Sequence, residues 1–452
     1  MLANEKRFWD ENDSKTIQNA IDEAAKIGEN YVTIPRYNAR SNSYVWEISE
    51  AILLPSDMTV LLDCAHLRLA DGVFDNIFRN ANCGTDLGKT LEGEQHDIRI
   101  IGIGNALLDG GNSNGMCEQL CRDNPDKYPS MYVNLLIQMH NVRDFAVRGL
   151  NVRESRWWSM AFMYCRYGII SDCNFKMYGT VENQDGIDLR VGCEYITIEN
   201  ITGVTGDDTI ALTALPCGGR ESAYRVEGKS VDIHDINIRN ITSASHGCSI
   251  IRFLIGDGAR EYNITVDNIK DTGEAISSSG ILLGAGRQFW REKAPAMGDM
   301  QNIVIRNLST CAQTAIYITN PLKDVFIENV STYGKGEVGL NFGKIFEAKN
   351  VRVKNFSFRA DPSTADSVIR FDNPTAPNMS ELSVENVVAD VANYIFRGHM
   401  TDQISVKYEE CRKEYFTPDP PKLLSAYGRY HKCFYGKVIE NRPADNRFKN
   451  EK

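Results

Sequence analysis

One phrase recurs along this chain. It sets aliphatic residues at alternate positions, then a polar residue, usually Asn, then another aliphatic. It reads YITIENITG at Asn200, HDINIRNIT at Asn240, YNITVDNIK at Asn268 and QNIVIRNLS at Asn307. It returns as KDVFIENVS at Asn329, KNVRVKNFS at Asn355 and SELSVENVV at Asn386, while VRDFAVRGLNV and YGIISDCNF are weaker copies with Gly149 and Asp172 in the marked place. Alternation of period two makes each copy a strand with one buried face. The marked residues fall 22 to 40 apart, and short strand groups repeated at such intervals predict a solenoid. Spacings near 40 are one coil plus an insertion, or two coils with one phrase degraded. A β-sandwich of short strands is the alternative, but a sandwich does not repeat one phrase seven times.

The expected fold is therefore all-β, a right-handed parallel β-helix running from Val32 to Val387. The Asn closes each strand where a tight bend needs left-handed geometry or a side chain bonded to backbone. Stacked coil on coil, these amides are expected to form a ladder. Before the coils, DSKTIQNAIDEAAKIG reads as an amphipathic helix with Ile17, Ala20, Ile21 and Ala24 on one face, capped by Asp13 or Ser14. It is placed to cover the open end of the solenoid. Residues 1–400 are expected to form one domain including this cap. Residues 401–452 lose the repeat and read as an extension packed along the coils or in a subunit contact.

Composition narrows the partners. With 50 Lys and Arg against 60 Asp and Glu, the net charge is -10, and no basic run offers to neutralise phosphates, so no nucleic-acid partner is expected. No apolar stretch is long enough to span a membrane, and MLANEKRFWDENDSK contains no apolar export segment, so a cytoplasmic protein is expected. The 12 cysteines are scattered, several within apolar patterns, as at Cys64, Cys165, Cys173 and Cys248. That pattern fits reduced buried thiols. CEQLC, Cys117 to Cys121, lacks a second pair at zinc spacing, and neither a metal nor a cofactor is expected.

Three stretches carry acid–base chemistry: ENQDGIDL with Asp185 and Asp188, TGDDTIAL with Asp207 and Asp208, and SASHGCSI with His246. Asp185 and Asp207 are 22 residues apart, about one coil, and positions one coil apart stack at about 4.8 Å. His246 follows Asp208 by 38 residues, a coil plus a long loop. Clustered carboxylates favour the retention of a proton. An inverting glycosidase needs such a set: one acid protonates the leaving oxygen and another activates a water. A solvated acidic turn or a calcium site is the plain alternative.

In their order and spacing, NQD-GID, GDD and SHG resemble the motifs of glycoside hydrolase family 28, the polygalacturonase family, which carries Asn-Thr-Asp, Gly/Gln-Asp-Asp and Gly/Ser-His-Gly. GIGNALLDGG, Gly102 to Gly111, is similar to its glycine-rich rung, and the resemblance runs from about Asp13 to Gly286. It implies the same β-helix, with Asp207 as general acid, Asp185 and Asp208 holding the water, His246 tuning the acid or orienting substrate, and Asn183 supporting the site. Asp188, outward by alternation, stands in reserve. The family's Arg-Ile-Lys, which grips a galacturonate carboxylate, is missing: the matching stretch is SSSGILLGAG, and Arg252 and Arg287 are the nearby candidates to replace it.

Trp157 and Trp158 in SRWWSMAF lie one coil before Asp185, one expected outward and one in the core. An outward indole stacks on sugar rings. Trp290 lies in the long loop after Arg287, and LPCGGRESAYRVEGKS, Leu215 to Ser230, is the other long insertion. Both are expected to wall one end of a cleft and give exo-action on pectin-derived or related plant oligosaccharides. Two further readings stand beside the hydrolase: a lyase or epimerase on the same fold, and a non-catalytic glycan binder. Whether the protein is a monomer or a homo-oligomer is left undecided by the sequence.

Overall fold

The structure is a computed structural model that describes residues 1–124, 131–217, 221–284, 291–343, 347–361, 363–371, 379–389, 394–398, 404–408, 410–411, 422–424 and 434–436. The chain divides into two compact units, Met1–Asn237 and Ile238–Lys452. Each is a stack of coils whose strands pair in parallel with those of the next coil, so the fold class is the expected parallel β-helix.

The alternation in the repeated phrase fixes what points inward. In the first unit Val32, Val60, Ile100, Val147, Ile170 and Ile198 stand in register on successive coils, and all are fully buried. In the second unit Val266, Ile305, Ile327 and Val353 form a column of the same kind, again fully buried. Each member touches its equals on the coils before and after it, so aliphatic side chains fill the interior at close packing.

The marked residue of the phrase sits where the strand bends. Gly149, Asp172, Asn200, Asn240, Asn268, Asn307, Asn329, Asn355 and Asn386 all have φ between 56° and 70°, the left-handed region that Gly and Asn tolerate best. The expected ladder is present. Asn268 donates to Asn240 at 2.8 Å, Asn329 to Asn307 at 3.0 Å, Asn355 to Asn329 at 2.9 Å and Asn386 to Asn355 at 2.7 Å. Across the long spacing after Asn268 the ladder shifts by one residue, and Asn307 donates to Asp267 at 2.7 Å instead.

A second left-handed column, missed in the sequence, precedes the first inward residue of each phrase: Asp144, Tyr167, Tyr195 and Asp235 in one unit, and Asn263, Asn302, Asp324 and Asn350 in the other. Tyr167 and Tyr195 stack with ring centroids 5.0 Å apart. That contact offsets part of the strain of a bulky residue in this region.

The cap helix spans Asp13–Ile27 and packs on the strands Tyr31–Pro35, Trp46–Ile48 and Ile52–Leu54. Its cap is Asn12, whose side chain accepts from the Lys15 amide, and Gly28 ends it with φ 76°. Asp13 and Ser14, expected as caps, are buried instead. Asp13 accepts from the Glu47 amide and the Arg40 guanidinium, and Ser14 accepts from the Ser49 amide. They lie one and two positions past the cap, and they tie the helix to the coil beneath it.

Cys165 and Cys173 are buried as expected, and burial pushes both thiols up to about 12. Cys64 and Cys248 are only half-buried, and Cys117 and Cys121 are free thiols. Within 401–452, expected as an extension packed along the coils or in a subunit contact, Ile404–Tyr408, Glu410–Cys411, Lys422–Leu424 and Phe434–Gly436 pair in parallel with strands of the coils.

Candidate active site

In the first unit the strands Met160–Met163, Ile187–Arg190 and Ile210–Ala214 lie side by side, with Met160, Ile187 and Ile210 in one register and Phe162, Leu189 and Leu212 in another. All six are fully buried. The acids lie in the turns that lead into the last two strands. Gly206 and Asp207 donate their amides to the Gln184 carbonyl at 3.0 and 3.2 Å, and Gly186 donates to the Asp208 carbonyl at 2.9 Å. The Asp185 carbonyl accepts from the amide and hydroxyl of Ser159, both at 2.8 Å. Three successive turns are thus stitched together. Gly186 is required there, because a Cβ would lie 2.5 Å from the Thr209 carbonyl oxygen.

Asp185 and Asp208 are each 1% exposed, whereas Asp207 is half-exposed. The Asp208 amide donates to Asp207 Oδ1 at 2.9 Å, and the Thr205 hydroxyl donates to the Asp207 carbonyl at 2.7 Å. These bonds hold the pair in one conformation, with the first carboxylate at the surface and the second beneath it. Asn183, half-exposed with φ 56°, turns the chain into this site.

Asp188 points away from the strand's inward residues, as alternation requires, but that face is covered and Asp188 is fully buried. Arg190, two residues on, donates to Asp188 at 3.4 Å and to Glu221, and its guanidinium lies 4.3 Å from the centre of the Trp158 ring. Tyr132 donates its hydroxyl to the same Glu221 oxygen at 3.2 Å. Burial works against the Arg190 charge, but Glu221, Tyr132 and Asp188 outweigh it and hold the guanidinium above its ordinary value. Burial, reinforced by Glu221, pushes the Tyr132 hydroxyl well up. The sequence reading missed this cluster. Its one signal was IDLR, an acid and a base two apart on the outward face.

The covering segment follows Leu215. Glu221–Tyr224 forms a 3-10 turn, Tyr224 packs 4.8 Å from Tyr132, and the Tyr224 carbonyl accepts from His140 Nε2 at 2.7 Å. Lys229 then pairs with Glu94. This insertion lies on the face that carries Asp188 and Arg190.

Both tryptophans are buried, Trp157 at 2% and Trp158 at 9% exposure, among Met116, Leu135, Val191 and Val226. The expectation that one faces outward does not hold. They occupy a bend before the strand Met160–Met163, where period-two alternation does not apply.

His246 and Arg252 belong to the second unit. His246 is exposed in a turn where Gly247 has φ 84° and donates to the Ile276 carbonyl at 3.0 Å. Arg252 is half-exposed on the strand Ser249–Ile255, in register with Leu282. Burial pushes the neighbouring Glu261 carboxyl well up, and Arg252 offsets this in part. Arg287 and Trp290 lie outside the described residues.

Residues 59–216 match the family profile described as Glycosyl hydrolases family 28. The matched segment contains Asn183, Asp185, Asp207 and Asp208, and stops short of His246. A probable polygalacturonase of Arabidopsis thaliana is 33% identical over 107 residues, which is 23% of this chain and 24% of that protein. The chain therefore aligns with about a quarter of this curated relative's length. Among solved structures, the A-module of a mannuronan C-5 epimerase from Azotobacter vinelandii superposes with a TM-score of 0.60 at 12% identity, covering 91% of this chain and 96% of that one. A surface adhesin of Streptococcus pneumoniae gives 0.51 at 12% identity, covering 84% and 86%. At such identities these likenesses show the fold, a right-handed parallel β-helix.

Proposed function

Because this chain is a divergent member of glycosyl hydrolases family 28, matched across residues 59–216, we propose that it is a glycoside hydrolase acting on pectin-type oligosaccharides. The observation that carries the reading is the stacked pair of turns that sets Asp185 beside the Asp207–Asp208 pair.

Asp207, the most exposed of the three, donates its proton to the glycosidic oxygen as the bond from that oxygen to the anomeric carbon breaks. Asp185 and Asp208 hold a water on the opposite face. One of them takes its proton as the water oxygen bonds to the anomeric carbon, and the product is inverted. His246 enters this scheme by its motif alone, as the residue that tunes the acid or orients the sugar. Arg252 is the candidate to meet a uronate carboxylate. The insertion clasped by Arg190 and His140 supports exo-action, since it covers the outward face of the strand that follows Asp185. With both tryptophans buried, sugar binding rests on polar groups near the acids. An oligosaccharide-cleaving enzyme in the cytoplasm remains part of the proposal.

A lyase or epimerase would need a free base near the acids. Arg190, on the strand that follows Asp185, is engaged by Asp188, Glu221 and Trp158, which favours hydrolysis. The test is reducing-sugar release from pectic oligosaccharides, with the anomeric form of the first product read by NMR, for wild type beside Asp207→Asn. Release of the inverted anomer that fails in the variant supports the proposal. An unsaturated product absorbing in the ultraviolet would sink it.

A further inference from the structure

Asp185 follows Gln184, a residue to which the acid–base scheme gives no role. Gln184 is fully buried in the turn before the strand Ile187–Arg190. Its side-chain amide reaches back one coil: Nε2 donates to the Ser155 carbonyl at 2.8 Å and to Glu154 Oε2 at 3.4 Å. Glu154 is held in turn, since its Oε1 accepts from the Tyr178 amide at 3.1 Å. The main chain of Gln184 reaches forward one coil. Its carbonyl accepts from the amides of Gly206 and Asp207 at 3.0 and 3.2 Å. One residue therefore ties the preceding coil to the turn that carries Asp207, and its next neighbour in the chain is Asp185.

The side-chain oxygen carries a second observation. Oε1 is buried and has no hydrogen-bond partner among the described residues. It fills the place where a side chain on residue 206 would start: a Cβ on Gly206 would lie 2.6 Å from Gln184 Oε1 and 2.6 Å from its Cβ. A buried acceptor without a donor is destabilising and calls for an account. Packing alone would be served as well by Met, which has nearly the same length and no such oxygen. The amide is needed for its nitrogen, which holds the turn to Ser155. The Thr of the family motif Asn-Thr-Asp ends two bonds nearer its own Cβ, so Gln at this place extends the reach to the preceding coil.

We infer that Gln184 is a positioning residue that sets the place of Asp207 relative to Asp185 by anchoring both to the coil before them. This rests on the hydrolase reading, in which Asp207 is the acid and Asp185 holds the water. Inversion needs the two carboxyl groups about 6.5–9.5 Å apart, with room for a water between them. A misplacement near 1 Å costs on the order of a hundredfold in rate. Thr205 and Asp208 hold Asp207 within its own turn, and Gly186 fixes Asp208. The Gln184 carbonyl is what refers Asp207 itself to the coil of Asp185.

The test uses the full chain, wild type beside Gln184→Met, which keeps the volume and removes the donor, and Gln184→Asn, which keeps the amide but ends one carbon short of Ser155. Asn329→Ala, in the second unit, supplies a loss of stability far from this turn in sequence. Melting, steady-state kinetics on pectic oligosaccharides and amide hydrogen exchange by mass spectrometry are measured for each. In both Gln184 variants the peptide containing Gly206 and Asp207 should exchange faster by about tenfold or more. Their kcat should fall by about tenfold or more with KM within about twofold, and their melting should stay within a few degrees of wild type. Asn329→Ala should melt lower and keep its kcat, which separates positioning from stability. Unchanged exchange in the Gly206–Asp207 peptide would overturn the anchor whatever the activity. Faster exchange with unchanged kcat would overturn its part in catalysis. If wild type itself releases no sugar, the hydrolase reading falls, and the exchange still decides whether Gln184 holds the turn.

Discussion

Asp185 and Asp208 lie side by side on successive coils: Gly186, next to the first, donates its amide to the carbonyl of the second at 2.9 Å. The spacing in the sequence pairs Asp185 with Asp207. The structure sets the offset at 23, as in the register of Ile187 with Ile210, so the buried Asp208 is the stacked partner and Asp207 stands outside the pair.

This arrangement assigns different losses to the three acids. Asp207→Asn should cut kcat by about a hundredfold or more and remove the alkaline limb of the pH–rate profile, because the missing group is the proton donor. Asp185→Asn and Asp208→Asn should cut kcat comparably, with little change in KM. Steady-state kinetics on a pectic oligosaccharide across pH would check it. Equal loss of both limbs in all three variants would contradict the division of roles.

The Arg190–Glu221 pair is buried on both sides, at 7% and 6% side-chain exposure. Glu221→Leu alone removes the nearer carboxylate of a buried guanidinium, leaving it Asp188 at 3.4 Å, and should destabilise the protein by roughly 3 kcal/mol. Arg190→Met with Glu221→Leu should recover most of that loss. Urea unfolding of the two singles and the double would show it. Additive losses in the double would mean that the pair is not coupled.

His140 should make stability fall in acid. Its Nε2 donates to the Tyr224 carbonyl and its Nδ1 accepts from the Gly84 amide, so the folded ring is neutral. Burial lowers its pKa from 6.5 to about 4. The unfolded chain therefore takes up the proton first. The contribution is whole above pH 6.5 and is lost as pH falls towards 4, by roughly 3 kcal/mol in all. Urea midpoints measured across that window should slope for wild type and flatten for His140→Gln. Parallel slopes would rule this histidine out.

Asn329 both donates to Asn307 and accepts from Asn355 at φ 58°. Asn329→Ala should cost about 1–2 kcal/mol, from two lost amide bonds and a left-handed alanine. Asn329→Gly, which relieves the backbone, should cost less. A thermal melt that orders the variants the other way would remove the ladder from the account of stability.

What was legible in the sequence was whatever the coil repeats. The alternation gave the inward columns, and the Asn positions gave the left-handed bends and their ladder, because each is stated many times over. The acids were legible through order and spacing. Trp157 and Trp158 were not, since a bend interrupts the alternation that would have oriented them. Arg190, Glu221 and Tyr132 escaped because 89 residues separate Tyr132 from Glu221, and no local pattern links an insertion to the face it covers. Asp144, Tyr167 and Asn263 shared a backbone need but no residue type, so their column was invisible by letter.

The column from Val32 to Ile198 also governs how such a chain can diverge. Each side chain is bounded by the equivalent residue one coil earlier and one coil later. A larger residue at Ile170 has to be met by a smaller one at Val147 or Ile198. Substitutions inside should therefore be inherited in linked pairs a coil apart, while turns and outer faces drift freely. Related sequences would then keep a correlation of volumes long after they have lost their letters, and that correlation is where a distant kinship should be sought.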